Sequence, residues 1–296
     1  MKLIIAFFLT LSLYAAEMQN DKNLDLDVLK PKHDRAKVAM NNWLDGNFGL
    51  KPYKTNYILP YGIQENKYDS FTSDDYINVE AELQVSFKLQ VAKDFFNLDE
   101  RYFFSYTHRA FWQIYTESSP FRETNYSPEV FVVIPINDES IFKLRSVQLA
   151  YAHTSNGQGE SHDKTLYTYH YQDPLNQSRS LNMLYAKLTF QHDTLVTDLE
   201  VIHRMKENIE NDDNPSILYY IGFAELKLNY FLGDHMMTLK GRLSPYSEKG
   251  SVEYTHSYPA INDTYFYLKV FSGYGESLID YDKHISKASF GFSFSR

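Results

Sequence analysis

The run His153-Thr154-Ser155-Asn156-Gly157 holds the two side chains best suited to acyl chemistry. On an extended strand, residues two apart project from the same face, which brings the His153 imidazole and the Ser155 hydroxyl within reach of each other. A neutral imidazole so placed takes the proton from an attacking serine. In the strand leading into the run, Val147, Leu149, Tyr151, His153 and Ser155 share one side, while Gln148, Ala150, Ala152 and Thr154 share the other. The first side is the apolar one. A His and a Ser at the end of an apolar stripe are costly to place there unless they hydrogen-bond to something. A third group must hold the imidazole in one tautomer. The stretch Ser178 to Leu188 offers Asn182, on the same face as Leu184, Ala186 and Leu188. Its amide oxygen accepts from the imidazole Nδ1–H without setting a charge beside hydrocarbon, where a carboxylate would be heavily desolvated. An amide stabilises the developing imidazolium less than a carboxylate does, so something else should assist the transition state.

The elements that carry these residues follow a period of two. In Ile77 to Val91 every odd residue is apolar and every even one polar, apart from Ala81 as a small member of the odd set. Comparable segments lie at 53–62, 102–116, 129–136, 144–155, 180–191, 195–205, 217–232, 235–244, 250–258, 264–273 and 284–294. Together they make about twelve strands, each near the ~9–11 residues that cross hydrocarbon when tilted. Gly233-Asp234 and Asn262-Asp263 read as tight turns, whereas 157–178 and 206–215 are long and polar. The last strand, Ala288 to Phe294, points three Phe to one side and is followed by Ser295-Arg296.

Composition fits the same picture. Apolar residues make up 43% and aromatics 16%, with 25 Tyr and 21 Phe, yet the mean hydropathy is -0.45. A barrel in lipid has this mixture, because alternate residues face hydrocarbon and a polar lumen while aromatics gather at the interfaces. A secreted soluble β-sandwich shares the aromatic content and is the competing architecture. Lys2, the apolar run Leu3 to Leu13 and the pair Ala15-Ala16 read as a signal peptide over 1–16, followed by a polar periplasmic lead-in over 17–49 and the barrel over 50–296. No stretch has the roughly 18 apolar residues of a spanning helix. The absence of cysteine excludes a disulfide scaffold, and a net charge of -9 argues against nucleic acid as a partner.

The motifs carry a resemblance. HTSNG at 153–157, SRSLN at 178–182, ESSPFRETNY at 117–126, DDNP at 212–215 and SGYGESLIDY at 272–281 occur in an order similar to that of the outer membrane phospholipase A family, from about Tyr53 to the C-terminus. The resemblance implies an all-β fold, a twelve-stranded antiparallel transmembrane β-barrel in the bacterial outer membrane. It also implies calcium-dependent hydrolysis of phospholipid acyl esters by a Ser-His-Asn triad on the outer face, in a homodimer. Carried over, Ser155 is the nucleophile, His153 the base and Asn182 the orienting residue. Ser118 and Ser178 would give hydroxyl oxygens to Ca2+, and Gln158, where the family commonly has Arg, its main-chain carbonyl. The amides of Ser155 and Gly157 are candidate oxyanion donors. The segment between Gly157 and Ser178 looks longer than usual, and His108 stands near the dimer contact where relatives often carry Gln.

Blander readings accompany these. A lone His-x-Ser is usually two unrelated polar residues. His162, His170, His192, His203, His235 and His256 show no ligand spacing. Asp212-Asp213-Asn214 resembles a calcium loop in composition, but acidic loops are usually only solvated. Glu276 and Asp280 carry no assigned chemistry. The rival function is a non-catalytic pore or adhesin barrel; a pore would gather charges inward, whereas the distinctive polar groups here are expected outward.

Overall fold

The computed structural model describes residues 50–69, 75–136, 142–159, 165–244 and 248–295. The signal peptide and the lead-in expected over 1–49 lie outside the described residues, as does His162. The strands are β1 (Leu50–Pro52), β2 (Tyr57–Gln64), β3 (Val79–Lys93), β4 (Arg101–Trp112), β5 (Phe121–Pro135), β6 (Leu144–Ser155), β7 (Ser180–His192), β8 (Leu195–Arg204), β9 (Ala224–Leu232), β10 (His235–Leu243), β11 (Gly250–Ile261), β12 (Thr264–Gly273) and β13 (Ile285–Ser293). Each pairs antiparallel with its sequence neighbour from β2 onward, and β13 pairs back with β2. β1 and β2 lie end to end along one edge of β3, opposite Phe87–Leu89 and Val79–Gln84. The thirteen segments therefore form a closed barrel of twelve staves, in which, among the described residues, only the short β1 has a strand on one side alone.

The alternation read from the sequence sets the faces. In β6, Leu149 and Tyr151 are exposed while Gln148, Ala150 and Ala152 are buried. In β13, Phe290 and Phe292 point outward while Ser289 and Ser293 are buried. Two segments depart from it. β5 begins at Phe121, not 129, because a bulge between Phe111 and Trp112 of β4 sets Trp112 opposite Phe121 and Phe111 opposite Glu123. Arg122 and Glu123 both turn inward there, which breaks the period-two signal. The segment expected as a strand from 217 starts with a helix, α1 (Ile217–Ile221), and extends only from Ala224. α1 ends at Gly222, whose φ is +74° and whose Cβ, if present, would fall 2.3 Å from the Leu243 carbonyl oxygen. Ile217 and Ile221 pack with Leu181, Leu278 and Tyr281 under the loops at one mouth of the barrel.

The lumen corrects a second expectation. The inward face carries a dense set of charges: Arg122 bonds Glu80 at 2.8 and 3.1 Å and also contacts Asp280, and Lys287 reaches Glu80 at 2.8 Å. Lys269 and Arg109 each bond Glu82 at 2.8 Å, and Lys287 lies 3.3 Å from Glu276. Glu80 and Glu82 are almost wholly inaccessible. Glu276 and Asp280, left without a role in the sequence, therefore help to plug the barrel.

Candidate active site

His153 stands opposite Asn182 in the β6–β7 ladder, and Ser155 opposite Ser180. All four lie at the ends of their strands nearest the long loops, and His153, Ser155 and Asn182 are half-buried. Leu149, Tyr151 and Leu184 are exposed beside them, so the outward stripe is lined with apolar surface. His153 Nδ1 lies 2.8 Å from Asn182 Oδ1. An amide oxygen only accepts, so the proton sits on Nδ1 and Nε2 is left as the basic nitrogen. Tyr151 donates its hydroxyl to the same Oδ1 at 3.1 Å, and Asn182 Nδ2 donates to Glu207 Oε1 at 2.9 Å. The Ser155 hydroxyl shares the face of His153 but makes no hydrogen bond to it among the described residues. Nucleophile–base contacts are often loose without substrate.

Two loops meet beside this group. The Asn156 backbone N–H donates to the Arg179 carbonyl at 3.1 Å, and its side-chain Nδ2 donates to the Gln177 carbonyl at 2.8 Å. Its Oδ1 accepts from the amides of Arg179 at 3.0 Å and Gln158 at 3.3 Å. One buried side chain thus binds segment 156–158 to segment 177–179, which brings the neighbourhoods of Gln158 and Ser178 together. Asn176 Oδ1 accepts from the Ser178 amide at 2.9 Å. Asn214, fully buried, accepts from the Ser180 amide at 3.0 Å and donates to its carbonyl at 2.9 Å. Ser118 sits apart. It is exposed in the turn between β4 and β5 with φ of +64°, and no hydrogen bond among the described residues joins that turn to either loop.

Gly157 follows Asn156 with φ of +65°, and a Cβ there would meet the Tyr126 ring at 2.8 Å. Only glycine adopts this conformation against that ring without strain. The Gly157 amide has no hydrogen-bond partner among the described residues, which leaves it free as a donor. Tyr126 also meets His108, with ring centroids 5.3 Å apart. His108 therefore lies on the outer face of β4, two strands from Ser155 with Tyr126 of β5 between them.

The acidic run after β8 serves the scaffold. Asp212 accepts from Arg204 at 2.7 Å and from the Asn214 amide at 3.0 Å, and Asp213 accepts from Asn176 at 2.6 Å. Tyr281, in the loop before β13, meets Ser216 Oγ at 3.1 Å, and burial raises its phenol above the ordinary value. The sequence reading missed Asn156, Asn214, Tyr151 and Glu207. Asn156 and Asn214 lay inside recognised motifs, which was the available signal. Tyr151 shares the face of His153 two residues away, which is a local signal, whereas nothing local marks Glu207.

The chain is similar to known proteins over most of its length. The family model described as phospholipase A1 matches residues 34–294. Phospholipase A1 of Escherichia coli K12 is 31% identical over 302 residues, covering 98% of this chain and 95% of the relative. That of Proteus vulgaris is 33% identical over 255 residues, covering 83% and 82%. Among solved structures, an active-site mutant of Escherichia coli outer membrane phospholipase A superposes with a TM-score of 0.73 at 30% identity, over 82% of this chain and 91% of that one. The calcium-bound dimer of the Salmonella typhi outer membrane phospholipase gives 0.72 at 31%, with the same coverage. The chain belongs to the phospholipase A1 family of outer-membrane β-barrels.

Proposed function

We propose that Ser155, His153 and Asn182 form the triad with which this phospholipase cleaves acyl esters of glycerophospholipids, at the first and second positions and in lysophospholipids. The observation that carries this reading is the 2.8 Å contact of His153 Nδ1 with the Asn182 amide oxygen on the outward face. It presents Nε2 as a base toward the side from which a lipid arrives. Ser155 Oγ attacks the ester carbonyl carbon while Nε2 takes its proton. The imidazolium hydrogen-bonds through Nδ1 to Asn182, and the same proton passes to the departing glyceryl oxygen. Water then repeats the sequence on the acyl-serine and releases fatty acid. The Gly157 amide, and that of Ser155, donate to the oxyanion.

Calcium is bound in the Salmonella typhi relative, and the oxygen donors here fit a hard cation. The Gln158 carbonyl and the Ser178 hydroxyl lie on the two segments that Asn156 clasps, and Ser118 supplies a third oxygen from a separate turn. The donor set is neutral, and no cluster of three His, Cys, Asp or Glu occurs among the described residues. Such a set holds calcium weakly, with water completing the shell. When bound, the ion stabilises negative charge on the oxyanion. The active form is a homodimer, with His108 near the face that packs; the Salmonella typhi relative is a dimer with bound calcium. The rival pore reading is disfavoured by the paired, inaccessible charges in the lumen.

The test uses purified protein in detergent with calcium. A serine-directed sulfonyl fluoride should label wild type and not Ser155→Ala, and wild type should release fatty acid from phosphatidylethanolamine vesicles. Labelling of both proteins alike would remove Ser155 from its role.

A further inference from the structure

Asn182 is itself held, and the group that holds it is charged. Its Nδ2 donates to Glu207 Oε1 at 2.9 Å, and Ser180 Oγ donates to the same carboxylate oxygen at 3.4 Å. Glu207 is half-buried in the segment just after β8. The Met205 amide donates to the Asn182 carbonyl at 2.8 Å, which prolongs the β7–β8 ladder by a step beyond Arg204. Alternation then carries His203, Met205 and Glu207 on the outward side, beside Asn182 and Ser180. The Met205 pairing thus holds the chain beside Asn182 two residues before Glu207.

We infer that Glu207 is a positioning residue for the triad, completing a relay of His153, Asn182 and Glu207; the inference rests on the triad reading above. The chemistry has two parts. An amide side chain has two orientations that differ only in exchanging O for NH2. His153 Nδ1–H requires the oxygen, and an ionised carboxylate accepts only, so it requires the NH2. Glu207 at one end and His153 at the other both select the same orientation. The Tyr151 hydroxyl donates to the same Oδ1, although a hydroxyl that can also accept does not by itself choose between the two orientations. The negative charge also polarises the amide toward the imidazole, so that the oxygen facing Nδ1 carries more negative charge when His153 becomes an imidazolium. The charge lacking in an amide triad is supplied from one hydrogen bond further away. Glu207 keeps partial contact with solvent, which spares it the desolvation that a carboxylate in the position of Asn182 would meet.

The experiment compares Glu207→Gln in two backgrounds, wild type and Asn182→Asp, with His153→Ala as the control on the triad. Folding is checked by the heat-dependent mobility of the barrel on gels, and kcat, KM and the calcium midpoint are measured on mixed micelles. In wild type, Glu207→Gln should lower kcat about tenfold, equivalent to ~1.4 kcal/mol, with KM and the calcium midpoint unchanged. In the Asn182→Asp background the sign should reverse. There Glu207 opposes a second carboxylate at hydrogen-bonding distance, so Glu207→Gln should raise kcat severalfold. A structural prop would lower activity in both backgrounds, and an equal factor in both, or no effect in either, overturns the proposal. A calcium midpoint that rises in Glu207→Gln, with full activity regained at saturating calcium, overturns it in favour of a calcium ligand. Failure of the triad reading has a separate signature, an active His153→Ala.

Discussion

His153 and Asn182 face each other across a ladder pair, and the hydrogen bond between them decides which imidazole nitrogen is basic. Removing the imidazole removes the base, which is worth about 10²–10⁴-fold. Removing the amide leaves the base in place and loses one hydrogen bond to a charged group, ~1.5–3 kcal/mol or roughly 10–150-fold. Asn182→Ala should therefore reduce kcat less than His153→Ala, with water or the Tyr151 hydroxyl partly replacing the lost acceptor. Equal losses measured on one micellar substrate would count against this division of roles. Gly157 marks what a single position requires at the same site. Its positive φ and the 2.8 Å approach of the Tyr126 ring leave no room for a methyl group. The three members of the proposed triad are marked in the sequence by residue types at i,i+2 and on the following strand. Glu207 is not, because its partnership with Asn182 spans 25 positions and depends on where β8 ends.

The strand is the element whose reading from sequence succeeded, since a buried and an exposed face impose a period of two. Where alternation fails, a bulge or a helix replaces it: Arg122 and Glu123 turn inward together, and α1 caps a barrel mouth. The loops were the least legible, because their order comes from side chains reaching across the fold. Asn156 is the clearest case, joining two segments that are adjacent only once β6 and β7 have paired. Each of its hydrogen bonds is worth ~0.5–1.5 kcal/mol, and together they hold the segments that carry the Gln158 carbonyl and the Ser178 hydroxyl, the proposed calcium ligands. Asn156→Ala should then raise the calcium midpoint about tenfold, as expected for ~1.4 kcal/mol of lost pre-organisation, while barrel stability changes little. Ser178→Ala should move the midpoint in the same direction. An unchanged calcium titration in both variants would place the ion elsewhere.

At the scale of the whole molecule, the barrel carries its proposed triad outside and a dense set of charges inside. Arg122, Lys269 and Lys287 meet Glu80, Glu82, Glu276 and Asp280 in a lumen from which solvent is nearly excluded. Residues from β3, β5, β12, β13 and the loop before β13 converge there, so the network ties together staves that are remote around the circumference. Such pairs contribute little net stability relative to apolar packing, but breaking one leaves an uncompensated buried charge at about 3–5 kcal/mol. Arg122→Met should accordingly lower the stability of the folded barrel by about that amount in urea titrations from vesicles. The double variant Arg122→Met with Glu80→Gln should recover part of the loss, since it removes one of the stranded charges; Lys287 then keeps Glu276 and Glu82 as partners. Salt should change neither result much, because buried pairs are poorly screened. The same plug predicts that wild type gives no steady conductance in planar bilayers. A double variant no more stable than Arg122→Met would mean that packing, not charge pairing, holds these staves together.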